Sequence, residues 1–239
     1  MALPKIDLPA YEATIPSNGK NIRVRPFTVR EEKMLLIAVE SKVQSEIITT
    51  VRQVINNCIL EGDIDVDKMP FFDVDYLFTF LRAKSVGETV EVKLTCNNFV
   101  NDEICGNEFM AEMDIGKVEL VKNEISDDIK LGPQAGVKMR YPNYSIMRKV
   151  EELPEIDKKT FIIVSSIDYV YDKTGMHSYK DYTTDELKEF VEGLTEENYH
   201  KLEEYVDKFP IVAAKIDAKC TKCGFEHSVR YTDFFDFFI

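Results

Sequence analysis

VEVKLTC (Val90–Cys96) followed by CGNEFMAEMDI (Cys105–Ile115), and VAAKIDAKC (Val212–Cys220) followed by CGFEHSVRYTDF (Cys223–Phe234), are two versions of one plan. Each is an alternating segment that ends in Cys, then a second Cys followed directly by Gly, then another alternating segment. In the first, Val90, Val92 and Leu94 alternate with Glu91, Lys93 and Thr95, the period of a half-buried strand. A chain that wraps a metal between two strands turns sharply, and Gly supplies the positive φ such a turn requires. Two hairpins of this kind facing each other bring four thiolates into a tetrahedron, the ligand set of a structural zinc site. The pattern therefore predicts one structural zinc per chain on Cys96, Cys105, Cys220 and Cys223. Cys220 and Cys223 have the usual two-residue gap. Cys96 and Cys105 are separated by NNFVNDEI, so the spare residues must loop out if the sulfurs are to meet.

Other readings of the cysteines stand beside this one. A Cys-x-x-Cys redox pair ordinarily opens a helix, whereas the strand-like HSVRYT follows here. A disulfide framework belongs to oxidising compartments. The four thiols could be unrelated core residues, and His227 could replace one of them as a ligand. Cys58, on an apolar helix face, reads as core.

Working outward, residues 1–27 read as an extended segment with four prolines and an edge strand over 21–27. Residues 28–87 read as helical. Thr28 with Glu31 forms a capping box, and Leu36, Val39, Val43, Ile47, Val51, Ile55 and Cys58 lay out one apolar face for a single helix running nearly to Leu60. A shorter helix covers 73–83. Residues 88–141 are β-rich and carry the first cysteine hairpin. Residues 142–210 are helical again: one helix carries Phe161 to Tyr171, although FIIVSSI also suits a buried strand, and Thr183 with Glu186 opens another. Residues 211–239 hold the second cysteine hairpin and an aromatic tail. The expected fold is α+β in one compact unit over 1–239, a helical body with antiparallel β-hairpins and a split zinc-ribbon-like four-cysteine site around which the helices pack.

The chain has 239 residues and a net charge of −13, from 30 basic and 43 acidic side chains. Such a field repels phosphate backbones, so nucleic acid is not an expected ligand. No apolar run approaches the roughly 20 residues that span a bilayer, and the N-terminus lacks the pattern of a signal peptide, which predicts a cytoplasmic protein. No nucleophile, phosphate-loop or metalloprotease motif occurs, and only three histidines are present. The expectation is a protein without enzymatic turnover that acts through surfaces. Arg25, Pro26 and Phe27 at the strand-to-helix junction, and Phe237 and Ile239 in the tail, are the candidate partner contacts.

The segment PAYEATIPSNGKNIRVRPFTVREEKMLLIAVES (Pro9–Ser41) resembles the N-terminal signature of the baseplate hub subunit and hub-assembly proteins of T-even-like contractile-tailed phages, in which a Pro-rich strand and a Ser-x-Gly-Lys turn lead into RPF-x-V-x-EEK-x-LL-x-A. The Cys–Cys-Gly hairpin, SSIDYVYD, DELKEFVEGL and the C-terminal Cys-x-x-Cys-Gly with its aromatic tail extend the likeness over nearly the whole chain. The resemblance implies a structural or assembly role in a phage baseplate hub, other baseplate or tail proteins as partners, and a location in the host cytoplasm during assembly or in the virion tail. The alternative is a zinc-ribbon module of a transcription or nucleic-acid-processing complex, which the acidic charge disfavours.

Overall fold

The computed structural model describes residues 6–232. The chain opens with β1 (Tyr11–Thr14) and β2 (Asn21–Val24), antiparallel with Tyr11 opposite Val24. Helix α1 (Val29–Ser41) follows. The Glu31 carboxylate accepts from both the backbone N–H and the hydroxyl of Thr28, at 2.7 and 2.9 Å, as the capping box predicts. The single long helix is not observed. Lys42 adopts a left-handed conformation at φ 57°, Val43 is extended, and a second helix, α2 (Gln44–Cys58), starts anew. The buried face of α1 also differs from the expected one: Leu35 is 2% exposed, whereas Leu36 is 46% exposed and turned to solvent.

Strand β3 (Ile59–Glu61) then pairs with β2, so β2 is the centre of a three-stranded sheet rather than its edge. Helix α3 (Phe71–Val86) buries apolar residues on more than one face because it serves two cores. Leu77, Phe78 and Leu81 face the first, made of the β1–β3 sheet, α1 and α2. Phe72 and Ala83 face the second.

The second core is built from hairpins. Strand β4 (Thr89–Thr95) leads through the short pair β5 (Phe99–Val100) and β6 (Glu103–Ile104) into β7 (Glu108–Asp114), which pairs with β4 throughout. Next come β8 (Glu119–Val121), β9 (Asp128–Gly132) and β10 (Ala135–Met139). Helix α4 (Met147–Glu152) precedes α5 (Glu155–Ser165). The FIIVSSI ambiguity resolves both ways: Phe161 to Val164 lie in α5, while Ile167 and Tyr171 lie in β11 (Ile167–Asp172). Strand β12 (Gly175–Ser178), α6 (Thr184–Glu192) and α7 (Glu196–Asp207) follow, with Thr183 and Glu186 forming the second expected capping box.

The chain ends its described course in β13 (Ile211–Lys219) and β14 (Glu226–Tyr231). Ile211–Ala213 pair with β8, and Ala214–Lys219 pair with β14. Helices α5–α7 pack on the β12-β11-β10-β9 sheet as a third core and do not wrap the cysteine hairpins as expected. All strand pairs are antiparallel, and the mixture with helices is α+β.

Candidate metal centre

The cysteines lie at the turn ends of two hairpins that meet across the second core. Strand β7 packs beside β13, and Val92, Phe109, Met113, Val212 and Ile216 fill the space between the hairpins and α3. This burial fixes the hairpins face to face, so their turns arrive together. The four sulfurs of Cys96, Cys105, Cys220 and Cys223 all fall within 4.8 Å of one another. Two of the separations cross from one hairpin to the other: Cys96 Sγ to Cys223 Sγ is 3.5 Å, and Cys105 Sγ to Cys220 Sγ is 4.0 Å. A tetrahedral zinc with Zn–S bonds of about 2.3 Å places its sulfurs about 3.8 Å apart. A disulfide requires about 2.05 Å. The observed spacing fits the first and not the second, and all five cysteines are free thiols.

The two turns are built alike despite their unequal loops. In the first, Cys96 N–H donates to Asn107 O and Gly106 N–H donates to Cys96 O, at 2.9 and 3.0 Å. In the second, Cys220 N–H donates to Phe225 O and Gly224 N–H donates to Cys220 O, at 2.8 and 3.0 Å. Gly106 and Gly224 have φ of 60° and 75°, the left-handed conformation anticipated from the Cys-Gly pairs. The extra residues of the first turn form their own hairpin, β5–β6, whose turn residues Asn101 and Asp102 have φ of 52° and 65°, as a type I′ turn requires. Cys105 N–H donates to Asn98 O at 2.8 Å and closes its base. The long loop thus leaves the sulfur positions unaffected.

The thiols are not electrostatically equivalent. Backbone amides of Cys223 and Lys222, together with neighbouring side-chain donors, pull Cys220 down to about 6. The Phe225 amide lowers Cys223, while burial pushes Cys96 up to about 12. Donors aimed at sulfur favour the thiolate that binds metal. Two asparagines that sequence reasoning missed add to this. Asn107 Nδ2 lies 3.5 Å from Cys220 Sγ and 3.0 Å from Thr221 Oγ1, and Asn98 Nδ2 lies 3.8 Å from Cys223 Sγ. Each stands two residues beyond a cysteine of its own hairpin, a spacing present in the sequence, and reaches a sulfur of the other hairpin.

The chain's other cysteine and histidine candidates sit elsewhere. Cys58 is fully buried in the first core. His227 is buried between the rings of Phe109 and Phe225, at 5.7 and 4.9 Å, outside the sulfur cluster. Strand β14, not a helix, follows Cys223, so the arrangement of a thioredoxin-like redox pair is missing here.

A family model described as T4 bacteriophage base plate protein matches residues 8–239. The chain belongs to this family. It is thus a T4-like baseplate protein, which makes other phage tail proteins its expected partners. Comparison with curated proteins and with solved structures finds no match. Among the described residues, no helix is long and apolar enough to cross a membrane.

In this baseplate protein Arg25 and Pro26 are half-buried and Phe27 is buried. Phe27 is only 7% exposed, and its N–H donates to Ser85 Oγ at 2.9 Å. The Arg25 guanidinium forks onto the Glu31 carboxylate at 2.7 and 2.9 Å. These contacts clamp the strand to α1, and Arg25 and Pro26 keep part of their surface exposed. Phe237 and Ile239 lie outside the described residues.

Proposed function

We propose that this chain is a non-enzymatic structural or assembly component of the baseplate hub, acting through protein–protein contacts, and that its four cysteines hold one structural zinc. The hub assignment rests on the Pro9–Ser41 signature together with the family match over 8–239. The zinc assignment rests on one observation, four sulfurs within 4.8 Å contributed by two hairpins with the same backbone hydrogen bonds. The hairpins then form a split zinc-ribbon-like unit. A four-thiolate set has no open position for water or substrate, so the metal cross-links rather than catalyses. That cross-link gives neighbouring subunits a rigid surface. The protein works in the host cytoplasm during assembly and in the tail baseplate.

The hub reading is tested by purifying a tagged chain from infected cells. Other baseplate hub proteins are expected to co-purify in stoichiometric amounts, and recovery of the chain free of every baseplate protein contradicts it. The metal reading extends to the asparagines. Losing a donor to a metal-bound thiolate typically costs about 10–100-fold in metal affinity. Asn107→Ala is expected to release zinc to a chelating dye at correspondingly lower dye concentration, with Asn98→Ala weaker in effect because its contact is longer. Equal retention by wild type and both variants argues against any role for these amides.

A further inference from the structure

The two cysteine turns provide an internal control. Cys220 and Cys223 make the same backbone hydrogen bonds as Cys96 and Cys105 with only two residues between them. The sulfur cluster therefore does not require the hairpin β5–β6. That hairpin nonetheless is ordered by a type I′ turn and holds Phe99 directly opposite Ile104, which puts both side chains on one face. They are 67% and 61% exposed. Asp102 and Glu103 sit at the tip beside them. An exposed apolar pair on a fixed hairpin with an acidic tip is a ligand in search of an apolar cleft with a basic rim.

The same chain carries a basic cleft of mixed polar and apolar lining beside its third core, with Ile146, Phe161, Val164 and Leu187 as its apolar part. Arg140, Arg148, Lys149 and Lys180 line a cavity of about 570 Å³ together with Phe161 and Tyr182, and no carboxylate lines it. In a chain of net charge −13 this concentration of cations is against the trend. Arg140 is held in place by a bond from Nε to Ile167 O at 3.2 Å and by the Tyr179 ring 4.3 Å away. Lys149 lies 4.9 Å from the Phe161 ring centroid. Among the described residues, neither Arg140, Lys149 nor Lys180 is paired with a carboxylate.

We propose that the β5–β6 hairpin of one copy seats in this cleft of a second copy, with Phe99 and Ile104 on the apolar floor and Asp102 and Glu103 on the basic rim. The contact joins two different surfaces, so it is head-to-tail and can extend to a ring or a row of subunits. It deepens the protein-contact reading above by naming one partner as the chain itself.

The test uses the purified full-length protein in analytical ultracentrifugation. A contact this small is expected to be weak, with a dissociation constant on the order of 0.1 mM. Phe99→Ser with Ile104→Ser removes the hairpin half, and Arg148→Glu with Lys149→Glu removes the cleft half. Each double variant alone is expected to associate at least about tenfold more weakly. Mixed together they should form discrete pairs and nothing larger, because one intact hairpin meets one intact cleft. Asp102→Lys with Glu103→Lys, which leaves the apolar pair intact, should weaken association as well, and zinc content and melting temperature check that every variant is folded. A wild-type protein that stays monomeric at the highest concentration overturns the proposal. So does association that survives the cleft variant but not the hairpin variant, which would mean hairpin packing on hairpin. Failure of the hub reading is scored separately, by co-purification with other baseplate proteins.

Discussion

Cys223→Ser is expected to lose bound zinc and the stability of the second core together. Structural zinc contributes apparent binding free energies of about 10–16 kcal/mol in small zinc domains, and whole domains are stable by only about 5–15 kcal/mol. Loss of even a third of the metal's contribution is therefore a large fraction of the total. Cys105→Ser should be as damaging as Cys220→Ser, because the two turns hold their sulfurs with the same backbone bonds. Cys58→Ala is the control: it leaves a cavity in the first core, at a cost of about 1–3 kcal/mol, and should keep a full complement of zinc. Elemental analysis and thermal unfolding of the same preparations give both readings. Wild-type protein that contains no zinc and whose five thiols all react freely would sink the metal assignment.

The second large effect is expected at Glu31. The carboxylate is only 5% exposed. It is held at about 2, well below its ordinary 4.5, first by the hydrogen bond from Arg25 and then by the amide and hydroxyl of Thr28, against the opposing pull of burial. A carboxylate depressed in the folded state adds stability above its unfolded pKa and loses that contribution as pH falls through the folded value. The contribution is thus complete above about pH 4.5 and gone below about pH 2, and a depression of this size corresponds to about 3 kcal/mol. Glu31→Gln should cost about that much at neutral pH, since it leaves the largely buried Arg25 without its counter-charge. Urea midpoints of wild type and variant should differ clearly at pH 7 and converge towards pH 2. A gap that stays constant across this range means that the charge of Glu31 is not what stabilises the junction.

What was legible in the sequence followed from signals with a local physical cause. The cysteine hairpins were readable because Gly after Cys reports backbone conformation and the flanking alternation reports strands. Both capping boxes were readable for the same reason. The break at Lys42 was not, since the apolar spacing continues across it, whereas the face that α1 buries runs through Leu35 and Ala38 and leaves Leu36 exposed. The inward turn of Phe27 depends on Ser85, 58 residues away, and no local pattern carries that information. The role of Asn98 and Asn107 depends likewise on sulfurs more than 100 residues distant. The third core escaped notice because its sheet and its helices each looked like additions to the hairpins, whereas tertiary packing joins them to each other. The aromatic tail, with its candidate partner contacts Phe237 and Ile239, falls beyond Thr232 and outside the described residues.

The sulfur cluster also imposes an order of events on the ribosome. Cys105 and Cys220 are 115 residues apart, and at about 5–20 residues per second the second pair of thiols emerges roughly 6–23 s after the first. During that interval the nascent chain carries half a binding site, with Cys96 and Cys105 already presented by a local hairpin. The sheet and helices between β9 and α7 emerge in the same window and contain the partners of their own core. They can condense while the first two thiols wait, so that the four sulfurs meet last and the proposed metal would fasten an already folded insertion into place.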